Sequence, residues 1–328
     1  MPRIADGKYV VVGAAGLLGT HLGRQLLDAG AREVVLMDNL ALGVASNLQD
    51  VLTDPRARFV RADMMRLNEL HDPFEGADGV FLVAAVLGEP MLANPWMGLD
   101  VNVRGTQNVL EAARQAKAAK VVFSSSIGIY GTFAGGPEED APSHWQKLPH
   151  FVQLYAGSKI IGEGLCAFYK DAYGLDYLAL RYGQLYGDPA HRRSLAGSDM
   201  AKAYDSIRAG TAPVIQGNGE QVQDYVYASD VARANILAME SEASGEALNI
   251  VSGVDTTTNR VVEIITEACG SDLVAEHAID PTKGELPRVP AIGFTGEKAK
   301  RLIGWEAQVS VEEGLRRTVE WFDREDAH

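Results

Sequence analysis

Cysteine is nearly absent from this chain. There are two, Cys166 and Cys269, and their spacing is not that of a metal-ligand set. Nothing supports a disulfide framework, and a reducing compartment, the cytoplasm, is expected. Long apolar runs are also missing. None approaches the roughly 20 residues that a bilayer-spanning helix needs, so no membrane partner is expected. The opening stretch, MPRIADGKYVVVGAAG, has no extended apolar segment before a cleavage site, and no signal peptide is expected. Positive charge is in deficit: Lys and Arg number 30 against 44 Asp and Glu, a net charge of -14. With no long basic run, a nucleic-acid partner is not expected. An anionic small-molecule substrate would have to be held by a few local cations and backbone N–H groups.

What is present suits a globular domain. The 328 residues are 46% hydrophobic and 23% charged, enough for a substantial core in one large or two modest domains. The first half alternates strand-like and helix-like segments. Apolar runs at 8–12, 33–37, 57–61, 79–85, 121–125 and 177–181 read as strands. Helical patterns follow at 17–29, 101–118 and 155–173. Strands separated by helices indicate βαβ units and a parallel sheet. After Tyr182 the rhythm changes. Residues 183–221 read as loop-rich with one helix near 200–209, followed by a strand at 247–251 and helices at 258–269 and 311–324. There is no repeat and no low-complexity tract. The reading is a dinucleotide-binding unit over 1–182, with 223–253 returning to it, and a smaller interleaved substrate-binding region from 183–222 and 254–328.

Gly13-Ala14-Ala15-Gly16-Leu17-Leu18-Gly19 lies between the first strand and the first helix. Gly13 permits the tight turn, Gly16 lets backbone approach a pyrophosphate, and Gly19 allows close helix–strand packing. The helix N-terminus offers free N–H groups and a positive dipole end to phosphates. A plain tight turn would need the same glycines. Asp38 ends the second strand, 19 residues after Gly19. A carboxylate there accepts the ribose hydroxyls and repels a 2′-phosphate, which favours NAD over NADP. Its alternative role is to cap a turn. Asp63, after the third strand, is placed to contact adenine or to be a solvated loop acid.

Tyr155 and Lys159 stand four residues apart on a helical pattern, so phenol and ammonium share one face. A free tyrosine titrates near 10, so ionising it at neutral pH costs about 4 kcal/mol. A unit charge about 4 Å away supplies around 4 kcal/mol at an effective dielectric of 20. Lys159, helped by a positive nicotinamide ring, would therefore make Tyr155 a usable base. Ser124-Ser125-Ser126 ends the fifth strand, where such sheets bind ligands. One of the three can hydrogen-bond a reacting hydroxyl; an ordinary serine-rich turn is the alternative.

These residues together resemble the extended short-chain dehydrogenase/reductase family, and within it the NAD-dependent nucleotide-sugar epimerase/dehydratase group. The resemblance runs through the glycine loop, Met37-Asp38-Asn39-Leu40, Val101-Asn102-Val103-Arg104-Gly105-Thr106, Ser124–Ser126 with Tyr130-Gly131, the Tyr155/Lys159 pair and Leu180-Arg181-Tyr182 with Tyr186-Gly187. It continues through Gln223-Asp224-Tyr225-Val226-Tyr227, Asp230-Val231-Ala232, Asn249 and Gly304-Trp305. It implies an α/β fold, a Rossmann-type doubly wound parallel sheet. Ser126, Tyr155 and Lys159 then align with the catalytic positions. Gly13, Gly16, Leu17, Leu18, Gly19, Asp38, Asn39, Asp63, Met64, Ala84, Ala85, Asn102, Ser124, Tyr155, Lys159 and Tyr182 would line the NAD site. Ser125, Ser126, Gln184, Gln223 and Arg288 would face the substrate. The resemblance also implies a homodimer formed through the helices at 101–118 and 155–173.

Within that group, dehydratases carry an Asp-Glu pair after the serine strand, and decarboxylases usually a Glu. Ser126-Ile127-Gly128-Ile129 has no acid. The pattern is similar to that of 4-epimerases, in which Tyr155 would take the C4 hydroxyl proton as the C4 hydride passes to NAD and later returns to the other face. It would also serve an NAD-dependent dehydrogenase of a non-nucleotide polyol, sugar acid or other secondary alcohol. Some departures favour that second reading. The group's usual Asn is Gln184 here, its diphosphate-clamping Arg is Gln223, and a second clamp before Gly284 is replaced by Thr282 and Lys283. A lysine supplies charge without the guanidinium fork. Arg192, Arg193, Lys202, Lys283 and Arg288 are the candidate substitutes. A non-catalytic NAD sensor would not need Ser126, Tyr155 and Lys159 together.

Overall fold

The computed structural model describes residues 3–131, 135–144, 148–189, 195–278 and 293–326, the side chains of 195–198 excepted. The N-terminal half contains β1 (Lys8–Val12), α1 (Leu17–Asp28), β2 (Glu33–Asp38), β3 (Ala57–Arg61), α2 (Leu67–Phe74) and β4 (Gly79–Leu82). There follow α3 (Gly88–Ala93), α4 (Pro95–Leu99), a π-helical turn at Asp100–Gly105, α5 (Thr106–Ala116), β5 (Lys120–Ser126), α6 (His150–Tyr173) and β6 (Asp176–Tyr182). The remainder holds β7 (Gln184–Tyr186), α7 (Leu195–Arg208), β8 (Val214–Gln216), β9 (Val222–Tyr227), α8 (Ala228–Glu240) and β10 (Glu246–Ile250). Last come β11 (Asp255–Thr257), α9 (Thr258–Ala268), β12 (Glu276–Ala278), α10 (Glu297–Ile303) and α11 (Val311–Asp326).

Seven strands form one parallel sheet in the order β10-β6-β5-β4-β1-β2-β3. All five residues of β1 and all four of β4 are buried. Both of their faces are covered, as expected of a parallel sheet between two helical layers. One layer packs α1, α8 and α10 over Leu22, Leu36, Phe81 and Leu248. The other packs α2, α5 and α6 over Val10, Leu82, Val121 and Phe123. Strand order reverses between β1 and β4, which opens a crevice at their carboxyl ends. A separate apolar cluster joins α7, α9 and α11 to β7, β8 and β9. β9 lies between β11 and β7 in a three-stranded sheet, while β10 pairs with β6 in the large one.

The departures from the sequence reading are local. β4 ends at Leu82, not at Ala85, because the Val83 and Ala84 N–H groups both turn to the Val12 carbonyl, at 3.0 and 2.8 Å. The helix expected over 101–118 starts as the π-helical turn and stops at Lys117, whose φ of 59° is left-handed. α6 begins at His150, so Tyr155 lies in its second turn. β9 and α8 were not anticipated. Nine of the thirteen α8 residues are buried, and the uncovered face narrows to Ser229, Arg233, Leu237 and Glu240, too thin a polar stripe to stand out.

Asp230, near the start of α8, ties down the C-terminal segment. Its Oδ2 accepts the Gln308 and Val309 N–H groups, each at 2.8 Å, and its carbonyl accepts Trp305 Nε1 at 2.8 Å. Asp230→Ala would leave two backbone donors without their acceptor. It is expected to cost about 2–4 kcal/mol in urea unfolding; a loss under about 0.5 kcal/mol would mean that Trp305 packing alone holds the segment.

Candidate active site

The glycine loop sits in the crevice between β1 and β4. Gly13 has φ +93°, and a Cβ there would stand 2.7 Å from Ala84 Cα. A Cβ at Gly19 would stand 2.5 Å from Ala14 Cα, so the helix can approach the loop only without a side chain. A Cβ at Gly16 would meet only the Gly13 carbonyl, at 3.4 Å. Gly16 caps α1 without any side-chain hydrogen bond, and no acid stands in the first turn. The first-turn N–H groups of Leu17, Leu18 and Gly19 therefore present an uncapped, positive helix end, which is what a pyrophosphate requires.

Asp38 closes the adjacent side. Its Oδ2 accepts the Ala15 N–H at 3.0 Å and its Oδ1 accepts the Leu40 N–H at 2.7 Å. The carboxylate caps its own turn and pins the glycine loop as well, and each oxygen retains a lone pair for a ribose hydroxyl. Asn39 is exposed and accepts the Ala41 N–H. Asp63 accepts the Met65 N–H at 3.0 Å. Met64 is buried, and its carbonyl accepts from Asn108. Ala84 lies against Gly13, and Ala85 is half-buried. Asn102 does not offer its amide to the crevice. It exchanges two 2.8 Å bonds with the Val86 backbone and donates to Ser158 at 3.2 Å, so it fixes the loop after β4 to α6.

The chemical end of the crevice is built by β5 and α6. Ser126 Oγ accepts the Gly128 N–H at 3.0 Å and faces the Tyr155 phenol, whose ionised form it favours. Lys159 Nζ donates to the Ser124 carbonyl at 2.7 Å and lies 5.7 Å from the Tyr155 ring centre and 5.2 Å from that of Phe123. Burial pushes the Tyr155 phenol up to about 12, opposed by the Ser126 hydroxyl. Burial also brings Lys159 down to about 8, opposed by the Glu163 carboxylate. The ammonium is thus seated on a carbonyl and not on the phenol. The attraction of one lysine charge is therefore opposed by the desolvation of both groups.

The three serines diverge. Ser124 Oγ lies 3.0 Å from the Tyr182 hydroxyl, which Asn235 holds at 2.9–3.0 Å. Ser126 faces Tyr155. Ser125, expected at the substrate, is buried, and its proton goes to Glu163 Oε1 at 2.5 Å. It belongs to the packing of β5 on α6. Gln184 is half-buried on β7, and Gln223 is exposed on β9 opposite Thr256. Lys202 is exposed, 3.4 Å from Asp199. Arg192, Arg193, Thr282, Lys283 and Arg288 lie outside the described residues. Two residues beside the site went unnoticed in the sequence. Glu163 takes two bonds from Arg181, at 2.9 and 2.7 Å, and its only sequence signal is that it extends the Tyr155–Lys159 spacing by another four residues. Asn235 fell within the helix that was missed.

Residues 9–251 match the family described as NAD dependent epimerase/dehydratase. A UDP-glucose 4-epimerase of Mycolicibacterium smegmatis is 32% identical over 319 residues, covering 96% of this chain and 98% of that one. The crystal structure of a UDP-glucose 4-epimerase from Thermotoga maritima with UDP-glucose superposes with a TM-score of 0.86 at 30% identity, covering 98% of this chain and 100% of that one. A UDP-glucose 4-epimerase from Thermus thermophilus in complex with NAD gives 0.81 at 30% identity, covering 96% and 99%. Glycine loop, turn-capping carboxylate and the Tyr155–Lys159 pair thus stand in a chain that matches such proteins along almost its whole length. It is an NAD-dependent enzyme of the extended short-chain dehydrogenase/reductase type, and it belongs to the NAD dependent epimerase/dehydratase family.

Proposed function

We propose that this chain is a nucleotide-sugar 4-epimerase. The observation that carries the reading is the composition of the wall next to Tyr155. The turn from Ile127 to Tyr130 follows Ser126 directly and contains no carboxylate. Moving protons at further sugar carbons would need an acid–base group there. Without one, the site supports reversible oxidation at a single carbon.

NAD, when bound, supplies the hydride acceptor and donor; the uncapped start of α1 and Asp38 would hold it. Tyr155 takes the proton of the reacting hydroxyl and returns it when the carbonyl is reduced. Ser126, facing that phenol, orients the same hydroxyl. Lys159, fixed on the Ser124 carbonyl, supplies the positive charge that offsets the cost of a buried phenolate. Lys159 is buried and Tyr155 half-buried, so the phenol can meet the substrate while the ammonium is kept from water. Residues 183–222 and 254–328 would form the substrate region, with Gln184 and Arg288 as its candidate contacts and Gln223 facing the substrate from the start of the returning segment.

A second reading, an NAD-dependent dehydrogenase of a polyol or sugar acid, is favoured by one feature. Gln223 is exposed and neutral where a diphosphate would need a cation. The chain is also proposed to work in the cytoplasm, as two unpaired cysteines suggest. Among the described residues, no helix is long and apolar enough to cross a membrane.

A homodimer through α5 and α6 is proposed because α6 leaves Ile161 48% and Phe168 56% exposed. Sedimentation equilibrium should report a dimer; a monomer at micromolar concentration would remove that part of the reading. Tyr155→Phe is expected to keep NAD binding and lose at least about 100-fold in turnover. Near-normal turnover in that variant would take Tyr155 out of the chemistry.

A further inference from the structure

We propose that Glu163 is a positioning residue for Lys159: from one helical turn away it supplies the counter-charge that keeps the ammonium protonated, and it clamps the strand end on which that ammonium is seated. The inference rests on the role given above to the Tyr155–Lys159 pair.

The geometry is that of a built device. Tyr155, Lys159 and Glu163 follow one another at four-residue intervals and line one face of α6. The Glu163 carboxylate accepts three bonds: Ser125 Oγ at 2.5 Å, Arg181 Nε at 2.9 Å and a terminal Arg181 nitrogen at 2.7 Å. Ser125 lies between Ser124, whose carbonyl receives Lys159, and Ser126, whose hydroxyl meets Tyr155. One carboxylate therefore holds the middle of the strand segment that carries both contacts. The remaining Arg181 nitrogen donates to the Tyr130 hydroxyl and the Glu139 carbonyl, each at 2.7 Å. Tyr130 in turn donates to Asn249 Oδ1 at 2.7 Å. The clamp thereby spans α6, β5, β6, β10 and the turn after β5.

The charges around Lys159 are few. On α6, Tyr155 and Glu163 stand four residues to either side of it and the buried Cys166 seven residues on, and the Glu163 charge acts on it through space. From β5 it meets the Ser124 carbonyl and the Phe123 ring. From β6 come the neutral Tyr182 hydroxyl and Arg181, whose charge is turned onto Glu163. The π-helical turn contributes only the neutral Asn102 amide, through Ser158. Among the described residues, Glu163 is the anion that favours the ammonium, and it raises the Lys159 pKa against burial. Without it, two buried cations would remain. Arginine does not give up its proton, so Lys159 would.

The test reads Lys159 directly in the NAD-loaded enzyme. Lysine labelled with 13C at Cε is titrated by NMR, and Lys159→Met assigns the resonance. Glu163→Gln should move the Lys159 midpoint down by about one pH unit. Arg181→Met leaves the carboxylate facing the ammonium alone and should move the midpoint up. Glu163→Asp keeps the charge and should restore a midpoint close to that of the parent. A merely structural role predicts no movement in opposite directions. An unmoved or raised midpoint in Glu163→Gln overturns the proposal. If that variant does not fold, Arg181→Met decides: an upward shift supports the proposal, and no shift or a downward one overturns it. Full turnover in Tyr155→Phe would instead sink the catalytic reading while leaving these midpoints where they are, so the two failures are separable.

Discussion

The 2.7 Å bond from the Lys159 ammonium to the Ser124 carbonyl joins α6 to the end of β5, and the reacting groups are placed by that junction. Strand β5 lies between β4 and β6, so its carboxyl end opens beside the crevice where the glycine loop lies. The helix brings the phenol over Ser126 at the same point. Lys159 is buried and Tyr155 half-buried, and desolvation works against the charged form of each. A site of this kind is inert by default. It needs positive charge delivered to the phenol and negative charge delivered to the lysine, and the network of Glu163, Arg181 and Ser125 supplies the second from within the chain.

The cofactor side follows a different constraint, that of close approach. Gly13 against Ala84 and Gly19 against Ala14 leave no room for a Cβ. The close packing brings the start of α1 to the sheet with its N–H groups uncapped, and Asp38 is drawn against Ala15 at the loop's edge. Asn102 then fixes the loop after β4 to α6 through Val86 and Ser158. The two halves of the site are thus linked by a neutral, fully bonded amide.

Much of this was legible because it rests on short-range patterns. Apolar runs of five or so residues, the glycine spacing and the four-residue Tyr–Lys interval report directly on strand, turn and helix face. What escaped depends on distant partners. α8 shows only a thin polar stripe because it is packed nearly all round, and with it went Asn235, which reaches Tyr182 across 53 positions of chain. Ser125 and Ser126 cannot be told apart by residue type, since their roles are set by the alternation of side chains along β5 and by what α6 presents to each. Glu163 read as one more acid on a helix; its bonds to Arg181 and Ser125 exist only once β5 and β6 lie side by side. Asn102 was expected to line the cofactor site, but its amide is spent on Val86 and Ser158, and the π-helical turn that aims it there left no trace in the sequence.

In the proposed reaction, oxidation and reduction take place at one carbon, with the hydride kept inside the enzyme between the two steps. Its most direct test follows a label. UDP-glucose carrying deuterium at C4 is incubated with the purified NAD-loaded enzyme, while the product is analysed by mass spectrometry and NADH by absorbance. A 4-epimer that retains the deuterium, with no NADH accumulating, is the expected result. NADH rising in step with product, or product that has lost the label to solvent, would contradict it.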